Sequence, residues 1–302
     1  MKISVIIPTW NRAKTLSETI KRLKRQIING LEVIIIDDGS DRENLRIIKQ
    51  INEVRVYYQQ HKGPAAARNL GIKNAWGDIL IFINDDTWTK NNFILIHKKF
   101  HEKNRQLYKA LLGPLKEHPE IDKGAAVRWL INESGQHFSY KLAEMKKVPW
   151  YYFWTCNVSV KRKFLVENNL FFDESFPTAA WEDIEFAYRA KNAGLKLFYN
   201  KSLTAFHYHK FNFDDVVGRF YSHGRGLFHL EKKLPDNFLP PLAKWWVRKA
   251  VKIFIGLIGY KLWGNKLIDW LKRKEKAPNS LMQLIVLAKK MEGFDYEENR
   301  LR

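Results

Sequence analysis

The stretch Ile79-Leu80-Ile81-Phe82-Ile83-Asn84-Asp85-Asp86 decides the fold. Its apolar run is long enough for one fully buried strand, and the run ends abruptly in an amide and two carboxylates. In an open α/β sheet, ligands bind in the crevice beyond the carboxyl ends of the strands. Adjacent carboxylates there repel each other unless a cation, a proton or a hydrogen-bond donor compensates them. A local alternative is a helix N-cap at Asp86 or Thr87.

The same strand-then-helix pattern repeats before this stretch. Hydrophobic periodicity predicts earlier strands at 3–8, 32–36 and 54–59 and a helix at about 13–28. A second helix is expected to end near residue 51, and the stretch 61–69 is expected to be a loop that turns into a third helix. Four strands alternating with helices predict βαβ units and a largely parallel sheet. The second strand also ends in paired acids, Asp37 and Asp38, so carboxylates gather along one edge of the sheet. The absence of Gly-x-Gly-x-x-Gly and Gly-Lys-Ser/Thr motifs argues against dinucleotide dehydrogenases and P-loop enzymes.

Charge is the unusual global feature of the chain. Its 302 residues include 52 Lys+Arg against 32 Asp+Glu, a net charge of +20, with 45% hydrophobic and 14% aromatic residues. This composition supplies an ample core, and the surplus of cations attracts polyanions, which include nucleic acid, anionic membranes and phosphorylated substrates. The single cysteine, Cys156, suits a reducing compartment, and the strand-like start after Met1 predicts no signal peptide.

Several short motifs occur in a specific order along the chain. They are Pro8-Thr9-Trp10-Asn11-Arg12, Asp37-Asp38-Gly39-Ser40, Ala67-Arg68-Asn69, Asn84-Asp85-Asp86, Thr155-Cys156-Asn157, Trp181-Glu182-Asp183 and Phe206-His207-Tyr208-His209. Their order and spacing resemble those of family 2 glycosyltransferases over about residues 1–230. The resemblance implies a GT-A fold: a nucleotide-binding α/β domain with a mixed, mainly parallel sheet flanked by helices. It also implies sugar transfer from a nucleotide-sugar donor with inversion.

The resemblance assigns nucleotide and metal roles in the first half of the chain. The expected nucleotide-binding residues are Pro8, Thr9, Asn11, Arg12, Asp38, Arg68 and Asp85. Asp38 would accept from a base N–H, Asp85 would face the ribose, and Asp86 would hold Mn²⁺ or Mg²⁺ against the diphosphate. Asn84 departs from the family's Asp-x-Asp pattern, because an amide coordinates through its carbonyl oxygen without charge. A local alternative for Asp38 is an Asx-type turn over 37–40.

The second half of the chain carries the expected chemistry. Asp183, with Glu182 before it, is the candidate base that takes the proton from the attacking hydroxyl. The local alternative is that both acids complement a helix macrodipole. Trp154, Asn157 and Trp181 are the expected acceptor-side residues. By the resemblance, His207 is the expected second metal ligand. The imidazoles of His207 and His209 are expected to point to opposite faces of an extended segment, so only one of them is expected to enter the site.

The C-terminal part of the chain is expected to be a helical appendage. The break at 235–241 separates a catalytic domain, 1–234, from a basic amphipathic region, 235–302. A helix over 245–274 would carry Lys244, Arg248, Lys249 and Lys252 on one arc and apolar residues on the other. It is too short to span a bilayer, so it either lies in a membrane interface or packs on the catalytic domain. A further strand is expected near 124–131.

The leading hypothesis is therefore a metal-dependent, inverting sugar transferase at the cytoplasmic face of a membrane. Its donor would be a UDP-, GDP- or dTDP-sugar, and its acceptor a glycan or lipid-linked hydroxyl, as in polysaccharide biosynthesis. One alternative is a nucleotidyltransferase, although the loop after the first strand lacks the expected glycines. Another is a non-catalytic basic protein that binds nucleic acid or membrane. Carboxylates along the sheet edge argue against nucleic acid, because they repel phosphate.

Overall fold

Residues 79–83 form a strand inside an eight-stranded sheet, as the sequence predicts. The computed structural model describes residues 1–26, 28–121, 147–238, 245–272 and 278–301. The strand expected near 124–131 lies outside the described residues, as does Lys244. Within those residues the chain divides into two compact units: the first covers 1–118, 147–175 and 183–209, and the second 119–121, 176–182 and 210–301.

The strands of the first unit form two sheets. In chain order they are β1 (Ile3–Thr9), β2 (Leu31–Asp37), β3 (Arg55–Tyr58), β4 (Ile79–Ile83), β5 (Thr87–Thr89), β6 (Lys109–Leu112), β7 (Leu115–Glu117), β8 (Lys147–Val148), β9 (Asn157–Lys161), β10 (Lys196–Tyr199) and β11 (Ala205–His207). The larger sheet has the order β3-β2-β1-β4-β9-β6-β10-β8. Strands β1 to β4 pair in parallel, and β9 runs antiparallel between β4 and β6. This is the mixed, mainly parallel α/β sheet that the sequence predicts.

Helices cover the sheet and form the second unit. In chain order they are α1 (Ala13–Lys24), α2 (Arg42–Ile48), α3 (Pro64–Asn74), α4 (Phe93–Lys103), α5 (Arg162–Glu167), α6 (Glu182–Asn192), α7 (Phe213–Glu231), α8 (Trp245–Leu257), α9 (Tyr260–Lys272) and α10 (Asn279–Arg300). Helix α1 buries the predicted apolar stripe of Leu16, Ile20 and Leu23. Helix α3 approaches β1 so closely that a Cβ on Gly71 would lie 2.5 Å from Ile6 Cγ2.

A three-stranded sheet follows the acidic end of β4. Its order is β5-β11-β7, and His207 of β11 lies opposite Thr87 of β5. The N-cap alternative for Asp86 or Thr87 is therefore wrong, because the chain continues as a strand and α4 begins only at Phe93. This small sheet brings a segment from beyond residue 200 beside the carboxyl end of β4.

The second unit is held together by α7 and α10. A Cβ on Gly224 of α7 would overlap the carbonyl oxygen of Lys290, and a Cβ on Gly293 of α10 would overlap that of Tyr221. The two backbones thus touch at a pair of glycines. Because α7 packs on α10, the compact units divide at 209/210 rather than at the expected 234/235. The functional extent of the catalytic domain stays a prediction.

The expected single helix over 245–274 is two helices, α8 and α9, which are separated at Gly259 with φ of +63°. The expected basic arc is also wrong for Arg248. Its side chain is buried, pairs with Glu231 at 2.7 Å and stacks over the Phe294 ring. Lys252 pairs with Asp295 at 2.7 Å. Among the described residues, no helix has the length and hydropathy that crossing a membrane requires.

Candidate active site

The carboxylates that follow β4 face the loop that follows β1. Arg12 places Nη1 2.9 Å from Asp85 Oδ1 and Nη2 2.5 Å from Asp86 Oδ2. The Thr9 hydroxyl donates to Asp85 Oδ2 at 2.9 Å, and the Thr19 hydroxyl donates to the Asp85 carbonyl at 2.7 Å. Both carboxylates are almost fully buried. Since β1 and β4 are parallel neighbours, their ends place these groups at one edge, as the sequence predicts.

Two histidines reach Asp86 from the end of β11. His207 Nε2 and His209 Nδ1 each lie 3.1 Å from Asp86 Oδ2, and the two rings stack at an interplanar angle of 6°. The expectation that only one imidazole enters the site is wrong. Residues i and i+2 of an extended chain point to the same face, so both histidines of His-Tyr-His reach one carboxylate.

Burial and charge set the protonation of this cluster. Burial raises the pKa of Asp85 to about 7, against the lowering effect of Arg12. Burial also opposes ionisation of Asp86, but His207, His209 and Arg12 together hold its pKa well below the usual range. Burial lowers the pKa of His209, which favours a neutral imidazole with a lone pair. The site therefore combines one firmly ionised carboxylate with at least one neutral nitrogen ligand.

The donor set around Asp86 fits a divalent cation. Ligand atoms of Asp86, His207 and His209 all lie within 4.8 Å of one another. Asp86 Oδ1 is buried and has no hydrogen-bond partner among the described residues, so one carboxylate oxygen is available to an ion. One carboxylate with two imidazoles suits Mn²⁺ better than Mg²⁺, which prefers an all-oxygen shell. Asn84, the departure from Asp-x-Asp, lies half-exposed before this cluster.

Comparison with known families identifies the first part of the chain. The model for glycosyl transferase family 2 matches residues 4–114, which span β1 to β4 and the acidic site.

Residues 4–114 belong to glycosyltransferase family 2.

Curated relatives agree with this assignment. A glycosyltransferase of Rickettsia conorii, itself uncharacterized, is 41% identical over 110 residues, which are 35% of this chain and 18% of the relative. The uncharacterized glycosyltransferase YfnE of Bacillus subtilis is 27% identical over 254 residues, covering 68% of this chain and 64% of YfnE. The dolichyl N-acetyl-alpha-D-glucosaminyl phosphate 3-beta-D-2,3-diacetamido-2,3-dideoxy-beta-D-glucuronosyltransferase of Methanococcus voltae is 24% identical over 267 residues, covering 78% of each chain. The chain thus spans less than a fifth of the length of the Rickettsia relative.

Solved structures show the same fold. The crystal structure of S. aureus TarS matches all of this chain and 55% of TarS, with a TM-score of 0.60 and 19% identity. TarS 1-349, solved in complex with UDP-GlcNAc, matches with a TM-score of 0.58 and 18% identity and is covered to 92%. At these identities the likeness establishes the GT-A fold alone.

Other expected nucleotide residues of the family 2 domain have mainly internal partners. Asp38 accepts from Lys62 N at 2.9 Å, Gly63 N at 2.8 Å and Gln59 Nε2 at 2.6 Å, and His61 Nδ1 lies 2.9 Å away. It therefore holds the loop before α3, and a base N–H would have to replace one of these groups. The Asx-type bond in this turn is made instead by the preceding Asp37, which accepts from the Ser40 N–H.

The remaining expected nucleotide-binding residues of the first half are Pro8, Asn11 and Arg68. Pro8 lies in β1, and Asn11, with φ of +53°, exchanges hydrogen bonds with Ser40 and Asp41. These bonds join the loops that follow β1 and β2. Arg68 is buried in α3, with its guanidinium 5.6 Å from the Phe172 ring centre. The roles of all three in nucleotide binding stay predictions.

The acid pair begins α6. Glu182 is buried and Asp183 is half-buried, so the second acid is the more accessible of the two. Burial raises the pKa of the Cys156 thiol, and the charges of Asp183 and Asp86 raise it further. The charges of the candidate base and of the candidate metal ligand therefore both act on this thiol, and the catalytic role of Asp183 stays a prediction.

The expected acceptor-side residues differ in their surroundings. Trp154 is half-buried and packs edge-on against Tyr152. Asn157 is fully buried, and its amide donates to the carbonyls of Pro114 at 3.0 Å and Leu203 at 2.8 Å. Its contacts are structural, because they join the ends of β6 and β9 to the segment before β11. Trp181 lies in the second unit, where its indole donates to the carbonyl of His223.

Proposed function

We propose that the protein is a divalent-metal-dependent, inverting glycosyltransferase. It would move a hexosyl or related sugar from a nucleotide-sugar donor to a hydroxyl of a glycan or lipid-linked acceptor. The observation that carries the proposal is the convergence of Asp86, His207 and His209 at the carboxyl end of β4. In the family 2 domain this edge is where a nucleotide is expected to bind.

The comparisons support a choice of donor and acceptor class. TarS has been solved with UDP and with UDP-GlcNAc, so UDP is the first nucleotide that we propose for this chain, ahead of GDP or dTDP. The name of the M. voltae relative includes a dolichyl phosphate sugar, which supports a lipid-linked acceptor. The other expected classes, nucleotidyltransferase and nucleic-acid-binding protein, receive no support from these comparisons.

Inverting transfer needs charge compensation at the leaving group and a base at the attacking hydroxyl. A divalent ion held by Asp86, His207 and His209 would compensate the charge of the departing diphosphate. Asp183 would accept the proton of the acceptor hydroxyl, because it is the more accessible acid of the pair that begins α6. Thr9 would orient Asp85 toward the ribose.

Two variants test binding and chemistry separately. Asp86→Ala should abolish Mn²⁺-dependent affinity for UDP in calorimetry, since it removes the charged ligand of the cluster. Asp183→Asn should bind UDP normally and lose turnover by about 10²–10⁴-fold, the usual scale for a general base. Unchanged Mn²⁺-dependent affinity in Asp86→Ala would refute the metal site. Normal turnover in Asp183→Asn would move the base to Glu182 or to no side chain.

We also propose that α8 and α9 rest on an anionic membrane surface, which would bring a lipid-linked acceptor to a site at the cytoplasmic face. Ala250, Ile253, Phe254 and Leu257 are exposed at i, i+3, i+4 and i+7, so α8 presents an apolar stripe to solvent. Leu257 is 82% exposed. Exposed Lys249 and Lys252 lie on one side of the stripe, Lys252 in an ion pair with Asp295, and each cation near an anionic surface contributes ~1 kcal/mol.

Liposome sedimentation tests this placement. Leu257→Gln should weaken binding to anionic vesicles by about 10–100-fold, because burial of a leucine side chain contributes ~1.5–3 kcal/mol. Tyr296→Gln, which changes an exposed aromatic residue on α10, is the matched control and should bind like the wild type. High salt should release the wild-type protein. Failure of the wild type to sediment at low salt would refute the membrane proposal and leave the enzymatic one intact.

A further inference from the structure

The guanidinium of Arg12 lies among the groups that would hold a metal. Its Nη2 is 2.5 Å from Asp86 Oδ2 and 2.6 Å from His209 Nδ1, while Nη1 is 2.9 Å from Asp85 Oδ1. Arginine has no acceptor, so in the tautomer that bonds to Arg12 His209 Nδ1 accepts through its lone pair, whereas in the other tautomer the same nitrogen donates to Asp86 Oδ2 at 3.1 Å. That lone pair is the one a metal would use. Arg12 therefore contacts two of the three candidate ligand residues, Asp86 and His209.

Charge explains why a cation belongs here. Asp85 and Asp86 are adjacent, buried carboxylates, and such a pair is costly unless a positive charge compensates it. An arginine side chain is always protonated and provides this charge through two parallel hydrogen bonds. A divalent ion at the same position would provide it as well. Both cations cannot occupy one position, because their ligands and their space coincide.

The side chain of Arg12 can also move away from Asp85 and Asp86. Its side chain is 30% exposed, whereas the side chains of Asp85 and Asp86 are 6% and 2% exposed. It follows Asn11, whose φ of +53° turns the chain, and it precedes the first residue of α1. The long arginine side chain can therefore swing toward solvent without movement of the strands that carry the acids.

We propose that Arg12 is a built-in cation that competes with the divalent metal for Asp86 and His209. The proposal rests on the metal site proposed above. Once displaced, the guanidinium lies beside that site and can pair with a diphosphate, for which its fork geometry is well suited. Metal and nucleoside diphosphate would then strengthen each other's binding. By linkage the two effects are equal in size.

The test measures Mn²⁺ binding to the full chain by electron paramagnetic resonance of the free ion, without nucleotide. Arg12→Met should bind Mn²⁺ about 10–100-fold more tightly than the wild type, since charge-assisted hydrogen bonds no longer hold the ligands. Arg42→Met removes an exposed cation of α2 and should match the wild type. Arg12→Lys retains a point charge without the fork and should fall between the two.

The outcomes separate this inference from the proposed function. Equal Mn²⁺ affinity in the wild type, Arg12→Met and Arg12→Lys overturns the competition and leaves the metal site standing. Undetectable Mn²⁺ binding in all of them overturns both. If Arg12→Met unfolds without metal, Mn²⁺ should restore its folding, as followed by circular dichroism, and Arg12→Lys supplies the affinity comparison. UDP should tighten Mn²⁺ binding more in the wild type than in Arg12→Met, and equal tightening contradicts the proposal.

Discussion

The backbone just before the acid pair Glu182 and Asp183 packs closely against Gly226 of α7. A Cβ on Gly226 would lie 2.5 Å from the carbonyl oxygen of Ala180 and 2.9 Å from Trp181 Cδ1. Trp181 has φ of +75°, and its indole donates to the His223 carbonyl at 2.9 Å. Trp181 is followed directly by α6, whose second residue is Asp183. We therefore expect Gly226→Ala to displace the candidate base.

The size of the effect follows from these distances. Real Cβ contacts are essentially never shorter than 3.0 Å, so the Ala180 carbonyl must retreat by at least about 0.5 Å. Misplacement by 1 Å can cost ~100-fold in rate, so half of that predicts about a tenfold loss of turnover. The clash should cost ~1–3 kcal/mol of stability, against ~1 kcal/mol gained by replacing a helical glycine.

Gly218→Ala is the matched control, because Gly218 lies in the same helix and a Cβ there would meet nothing within 4 Å. It should stabilise the protein by ~1 kcal/mol and leave turnover unchanged. The assay compares turnover with UDP affinity in both variants, and affinity should be unchanged because the residues that a Cβ on Gly226 would meet, Ala180 and Trp181, are not among the candidate nucleotide-binding residues. Equal turnover in Gly226→Ala and Gly218→Ala would refute the view that α7 positions Asp183.

Three further predictions concern stability, pH and metal binding. Gly224→Ala forces a methyl group onto the Lys290 carbonyl, so α10 should exchange its amide hydrogens faster than in Gly218→Ala; equal exchange contradicts the contact. Glu297→Gln should cost ~2–3 kcal/mol at pH 7 in urea unfolding, because charge-assisted bonds are lost. Burial raises the Glu297 pKa, but Arg300, Arg225 and His229 together lower it to about 2. That stability is present above about pH 4.5 and is lost as pH falls toward 2, so a gap independent of pH would count against it. Asn84→Asp should raise Mn²⁺ affinity about fivefold in calorimetry, and unchanged affinity would mean that Asn84 faces elsewhere.

Strands of the larger sheet near the site could be predicted because each is a short, continuous run of apolar residues in the sequence. Strand β4 has the predicted bounds, since five apolar residues run unbroken between Asp78 and Asn84. Strand β5 could not be found in this way. It is a three-residue strand, Thr87–Thr89, which exists because β11 pairs with it from more than a hundred residues away. Pairings of that range leave no local pattern in the sequence.

Two of the predictions that proved wrong, the single imidazole at the site and the continuous helix over 245–274, could have been avoided from the sequence. His209 shares a face with His207 through the two-residue period of extended chain, and this period predicts the paired imidazoles at Asp86. Gly259 interrupts the apolar pattern between α8 and α9, and a glycine within a helical pattern lowers the expectation of one continuous helix. Burial of Arg248 had no such signal, because it depends on Glu231 and Phe294 of other helices.

The position of β9 has a consequence for how the chain is made. Ile83 of β4 pairs with Asn157 of β9. During synthesis, β4 therefore emerges from the ribosome well before the strand that pairs with it. At about 5–20 residues per second the ribosome takes several seconds to deliver it. During this time β4 is an open edge, which invites pairing with other chains. A fragment that stops near residue 114, where the family match ends, lacks β9, so its β4 edge stays unpaired and the fragment should aggregate. In the longer chain β9 can pair with β4 once residue 161 has been synthesised.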